Sequence, residues 1–164
     1  MTIYFKRLKF GYPDPLKFPN DVAGSWKIYT VCNDPTAQSC TTREDVKKLQ
    51  KQDQENARST YVSFSNKAQT GQLLKDLYDE KKCHVAHEFT LATPAPQVVK
   101  VFRIWGAGTI RVYFIYLLEK RIAMLKTKTK RQDKLSDGEK LELENIATNV
   151  MNCVRTNGFD AREI

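Results

Sequence analysis

Cysteine is sparse: four residues, at positions 32, 40, 83 and 153 of 164, are too few and too scattered for a disulfide scaffold, so reduced thiols are expected. No apolar run approaches the ~20 residues of a membrane span, so no membrane partner is expected. The start, Met1-Thr-Ile-Tyr-Phe-Lys6, lacks a basic stretch followed by an apolar one, and a cytoplasmic protein is expected. There is no Walker loop, no Gly-x-Ser-x-Gly and no Gly-x-Gly-x-x-Gly; Gly106-Ala-Gly108 lacks the third glycine and a following helix, which argues against nucleotide-dependent chemistry. Cys83-His-Val-Ala-His87, taken with Cys32 and Cys40, does not have the spacing of a zinc knuckle. Neither a metal nor a cofactor is expected.

What is present is enough apolar material for a core, 41% hydrophobic against 28% charged residues, in a chain sized for one domain or one domain with an elaborated end. The net charge of +8 is local. Residues 100–134 carry ten basic groups against Glu119 and Asp133, which leaves seventeen of each sign elsewhere. A concentrated basic excess is the electrostatic footprint of a polyanion partner. Here it alternates with strand-forming residues, as a sheet face would and a disordered tail would not.

Residues 1–24 read as an irregular arm, with Gly11, Pro13, Pro15 and Pro19, after a short strand at Ile3 to Phe5. Ser25 to Cys32 reads as a strand closed by the Asn33-Asp-Pro35 turn. A polar surface helix is expected from Thr42 to about Arg58, a strand-like piece or helix approach at Thr60 to Phe64, and a helix from Asn66 to Lys82 on the spacing of Leu73, Leu74, Leu77 and Tyr78. Pro94 and Pro96 end what precedes them. Val98 to Trp105, Ile110 to Leu117 and Arg121 to Thr127 then form a three-stranded antiparallel meander. Arg111, Tyr113 and Ile115 point to one side of it and Val112, Phe114 and Tyr116 to the other. Ser136-Asp-Gly-Glu139 is a capping box that opens a last helix, whose apolar stripe runs through Leu141, Ile146, Val150 and Val154, with Leu143, Ala147 and Met151.

From Val98 onward the chain resembles the RelE/HigB group of toxin–antitoxin toxins, in the RelE/ParE superfamily. The parts are Lys100-Val-Phe-Arg-Ile-Trp105, Gly106-Ala-Gly108, Ile110-Arg-Val-Tyr-Phe114, Leu118-Glu-Lys120, Arg121-Ile-Ala-Met-Leu125 and the basic stretch from Lys126 to Lys134, in family order over about 55 residues. The resemblance implies an α+β fold, a small antiparallel sheet packed against an N-terminal helical pair and a C-terminal helix. Residues 1–41 would form an N-terminal extension with one or two strands and 42–164 the toxin-like domain, or 1–164 a single domain.

It also implies metal-independent cleavage of mRNA, on the ribosome or free, and neutralisation by an antitoxin protein. Such cleavage needs removal of the 2′-OH proton, stabilisation of the phosphorane's charge and protonation of the leaving oxygen. By position Arg111 matches the family's phosphate-stabilising arginine, Arg103 the basic residue of the preceding strand, and Arg131 with Lys128 the basic end of the third strand. His84 and His87 are the only histidines, and histidine suits acid–base work near neutrality; Asp133 is the nearest late carboxyl. Lys100, Lys120, Arg121, Lys126, Lys130 and Lys134 are candidates for RNA contact, and Tyr113 and Trp105 for base stacking. A gyrase poison of the ParE type and a non-catalytic nucleic-acid-binding regulator are the alternatives.

Overall fold

The computed structural model describes residues 2–8, 24–78, 81–93 and 95–164; the arm's turn residues from Gly11 to Pro19 and the stop at Pro94 lie outside them. In chain order the elements are β1 (Tyr4–Arg7), β2 (Lys27–Cys32), α1 (Thr41–Lys47), α2 (Lys51–Ala68), α3 (Leu74–Leu77), β3 (Cys83–Leu91), β4 (Gln97–Trp105), β5 (Ile110–Leu117), β6 (Arg121–Thr129) and α4 (Asp137–Asn157). No helix among the described residues is long and apolar enough to cross a membrane.

The six strands make one sheet in the order β1-β2-β6-β5-β4-β3, with β2 parallel to β6 and the other neighbours antiparallel. This corrects the expected small antiparallel sheet on an N-terminal helical pair: the sheet is larger, it is mixed, and the helices follow its first two strands. The cause lies in β2, where every residue after Lys27 is buried. Ile28 faces the core under α2, while Tyr29 and Val31 face the core under α4. A strand apolar on both faces needs cover on both, which α2 supplies on one side and α4 on the other, while its place between β1 and β6 pairs its two edges.

The meander forms as the alternation predicts. Tyr113 and Ile115 enter the core with Leu143, Ala147 and Val150 of α4, and Val112 and Phe114 the core with Ala57, Tyr61 and Phe64 of α2. The capping box is complete, Ser136 Oγ accepting from Glu139 N at 3.1 Å and Glu139 Oε1 from Ser136 N at 3.0 Å. Leu141 leaves the expected stripe and is 58% exposed.

Four local expectations change, the first being the polar helix from Thr42 to about Arg58, which is broken into α1 and α2 between Lys47 and Lys51. Thr60 to Phe64 lies inside α2, and the helix expected from Asn66 to Lys82 is reduced to the single turn of α3. The chain turns at Gly71 with φ +74°, where a Cβ would meet the Gly24 carbonyl oxygen at 2.2 Å, so glycine interrupts the helical spacing. Cys32 and Cys40 are joined in a disulfide, not free. The Asp34 carboxylate accepts hydrogen bonds from the N–H groups of Thr36, Gln38 and Ser39, folding the turn so that the two cysteines face each other as a β-bridge pair. Cys83 and Cys153 are free and buried.

Candidate functional site

Strand register gathers the polar residues of the α4 face at one end of the sheet. His84 of β3 pairs with Arg103 of β4, Arg103 with Tyr113 of β5, and Tyr113 with Lys126 of β6. The adjacent row is Trp105, Arg111 and Lys128. Directly opposed residues share a face, so seven side chains capable of chemistry stand together. The apolar face of α4 covers the sheet from Leu143 onward, and its first turns bring Glu139 and Glu142 against the lysines at this end.

Two arginines form the floor, each 1% exposed. Arg103 donates through Nη2 to the Lys81 carbonyl at 2.9 Å, and the same nitrogen lies 2.6 Å from His84 Nδ1. Arg111 donates through Nε to Asp133 Oδ1 at 3.2 Å and through Nη1 to the Ile110 carbonyl at 3.2 Å. Arg103 Nη1 faces that same Asp133 oxygen at 3.2 Å, yet neither Nη1 nor Nε makes a hydrogen bond among the described residues. Burial pushes the Arg103 guanidinium below its ordinary pKa; the Asp133 carboxylate opposes this and the Arg111 charge adds to it. The Trp105 ring lies 4.1 Å over Arg111 and 5.9 Å from Arg103, and its Nε1 donates to the Gly108 carbonyl at 3.1 Å. The Tyr113 hydroxyl is buried without a hydrogen-bond partner, and burial, followed by the charge of Glu139, pushes its pKa up to about 12. A surface cavity of about 450 Å³ is lined by Lys81, His84, Trp105 and Asp133, each a neighbour of one of the arginines.

No protein-family model, curated protein or solved structure matches this chain.

The chemistry of the site is therefore that of its own side chains. Two buried guanidinia from neighbouring strands converge on one anionic oxygen, the arrangement that binds a phosphate, and an imidazole and an indole stand at its rim. Of the residues expected from the sequence, the structure brings together His84, Arg103, Arg111, Tyr113, Lys126 and Lys128. Lys130 follows at the end of β6, and Arg131 and Lys134 are exposed on the Asp133 loop. The others lie elsewhere. His87 is held at 2.6 Å by Glu144 of α4, and Lys100 stands opposite Glu88. Lys120 and Arg121 are at the far end of the sheet, Lys120 donating to the Gly71 carbonyl and Arg121 to Asp160, each at 2.7 Å.

Most of the basic stretch is also answered by acids that charge counting missed. Lys126 lies 3.3 Å from Asp45 and 3.0 Å from Glu142, while Lys128 and Lys130 both donate to Glu139. Glu139 carried a signal only as a helix cap, and Asp45 none. Partial burial works to raise the Glu139 pKa, but the two lysines and the Ser136 N–H outweigh it and hold the carboxyl at about 2. A depressed folded value means stability that is present above the ordinary 4.5 and lost as pH falls towards 2. Thermal melts of wild type and Glu139→Gln from pH 6 to 2 should therefore converge as pH falls; a constant gap would show that the Glu139 charge contributes nothing.

Proposed function

We propose that this protein is the toxin of a toxin–antitoxin pair, a metal-independent endoribonuclease that cleaves mRNA in the cytoplasm by attack of a 2′-OH on its own phosphodiester. The observation that carries the reading is the convergence of two buried arginines on one oxygen of a carboxylate that also lines an open cavity, with an imidazole 2.6 Å from one of them. A non-bridging phosphate oxygen fits the place of that carboxylate oxygen. Guanidinia fixed there act most strongly on the charge that builds up in the phosphorane, since burial raises their effect and their positions need no reorganisation.

His84 is the acid–base group of the reading. A guanidinium N–H only donates, so the ring nitrogen facing Arg103 is an unprotonated acceptor, and it takes the 2′-OH proton once the 2′-OH replaces Arg103 Nη2 as its donor. The 2′ oxygen bonds to phosphorus, the bond to the 5′ oxygen breaks, and a proton ends on that oxygen, giving a 2′,3′-cyclic phosphate and a 5′-OH. The exposed Trp105 edge, Arg131 and Lys134 supply contacts for flanking bases and phosphates. Ribosomes would present the mRNA, and an antitoxin with an acidic segment would block the same face.

The test is incubation of 5′-labelled single-stranded RNA with the purified protein, alone and with translating ribosomes. Fragments ending in cyclic phosphate, abolished by a single 2′-deoxy substitution at the cleaved position, are expected. RNA left intact in both settings would refute nuclease activity, and gyrase-dependent DNA breaks beside intact RNA would favour the ParE-type alternative.

A further inference from the structure

We propose that Asp133 is a built-in competitor for the substrate: in the free protein its carboxylate stands in the phosphate position, and RNA binds by displacing it. This rests on the reading above that the two arginines receive a phosphate.

The geometry is asymmetric in a way that suits displacement. The side chains of Arg103 and Arg111 are 2% and 1% exposed and fixed in strands, whereas Asp133 is 41% exposed and sits in the connection between β6 and α4. Of the partners in this cluster, the carboxylate is the one free to leave. It is also a poor match. One oxygen serves both guanidinia at 3.2 Å, longer than the 2.7–2.9 Å usual for charge-assisted hydrogen bonds, and Arg103 Nη1 and Nε remain buried without hydrogen bonds. A tetrahedral phosphate offers more acceptors, in more directions, than a planar carboxylate and can satisfy what Asp133 leaves open.

The connection is anchored on both sides of Asp133 and exposed between. Lys130 N donates to the Thr109 carbonyl at 2.9 Å, and Leu135 is 6% exposed just before the Ser136 cap. Arg131, Gln132, Asp133 and Lys134 lie exposed between these anchors, so Asp133 can swing out without uncapping α4. Arg131 and Lys134 flank it and carry no ion pair among the described residues. Displacement trades one anion for another over the arginines, which keeps the buried guanidinia neutralised in both states.

The probes are inorganic sulfate and a single-stranded oligonucleotide with 2′-deoxy sugars, which binds without being cut. Asp133→Asn should bind the oligonucleotide about tenfold more tightly than wild type, and sulfate should raise the melting temperature of the variant far more than that of wild type. In ¹³C-labelled wild type, saturating oligonucleotide should shift the Asp133 carboxyl resonance, a readout that survives if the variant fails to fold. Equal or weaker binding by Asp133→Asn, or an unmoved carboxyl resonance in an oligonucleotide-saturated wild type, would overturn the proposal. Sulfate stabilising the variant while neither protein binds oligonucleotide would keep the competitor and sink the RNA reading. Equal oligonucleotide binding with an unmoved resonance would do the reverse.

Discussion

Replacing Arg103 with alanine should lower the single-turnover rate of RNA cleavage by about 100- to 1,000-fold, the usual cost of removing one fixed donor from a site of developing charge. The fold should survive. Truncating one partner of a buried ion pair is costly when it strands the other charge, but here Asp133 keeps Arg111 at 3.2 Å and is itself 41% exposed. The space left opens into the Lys81, His84, Trp105 and Asp133 cavity, where water can enter. Arg103→Lys should restore little, because one ammonium cannot reach the Lys81 carbonyl, the His84 ring and the bound anion together as the planar fork does. His87→Ala is the matched control. Its imidazole is engaged with Glu144 and does not line the cavity, so cleavage should stay close to wild type. Comparable losses in Arg103→Ala and His87→Ala would sink the assignment, as would an Arg103→Ala rate near wild type.

The features legible in the sequence are those encoded by neighbouring residues. Period-two alternation gives the two faces of β5, hairpin spacing gives the β4–β5–β6 meander, and Ser136 with Glu139 announces the start of α4. The pairing of β2 with β6 joins Lys27 to Arg121, and no local pattern carries information over such a distance. Nor did β3 show itself. Only Cys83 and Leu91, its two ends, are fully buried, so an edge strand with a thin apolar face gave no run to recognise.

For the site, the row of His84, Arg103 and Tyr113 depends on β3 and its register, so single residues could be suspected but not their meeting. Read along the chain, Lys126, Lys128 and Lys130 are bare cations, because Glu139 and Glu142 belong to the following helix and Asp45 to a helix far upstream. Folded, the positive charge left at this end of the sheet is Arg103 and Arg111 under a single exposed carboxylate, with Arg131 and Lys134 beside it, while Lys120 donates to a carbonyl at the far end. A linear count of charge identifies a segment, whereas the attraction a polyanion feels depends on which cations the fold has already neutralised.

Asp45 is where the largest loss of stability is expected. β2 pairs with β6 only as far as Met124, after which α1 takes its place beside the strand. There Asp45, 5% exposed, accepts the Thr127 N–H at 2.8 Å and lies 3.3 Å from Lys126 Nζ. Burial pushes the Asp45 carboxyl above its ordinary pKa, against the Thr127 N–H and the Lys126 charge. The acceptor matters more than the charge. Asp45→Ala leaves a buried N–H orphaned and should cost about 3 kcal/mol, the upper end for stranding a buried donor. For a chain of this size that is a fall in melting temperature of roughly 6–12 °C. Asp45→Asn keeps an acceptor for Thr127, Lys126 keeps Glu142 at 3.0 Å, and the loss at neutral pH should be about 1 kcal/mol. The sign of the pH dependence follows from the raised pKa: the folded state binds the proton more tightly, so wild type gains stability as pH falls through the folded value towards the unfolded one, and Asp45→Asn cannot. Denaturant titrations at pH 7 and pH 4 should show the gap between these two proteins widening at the lower pH. Equal losses for alanine and asparagine, or a gap that closes on acidification, would show that the charge of Asp45, and not its hydrogen bond to β6, holds α1 beside the strand that carries Lys126 and Lys128.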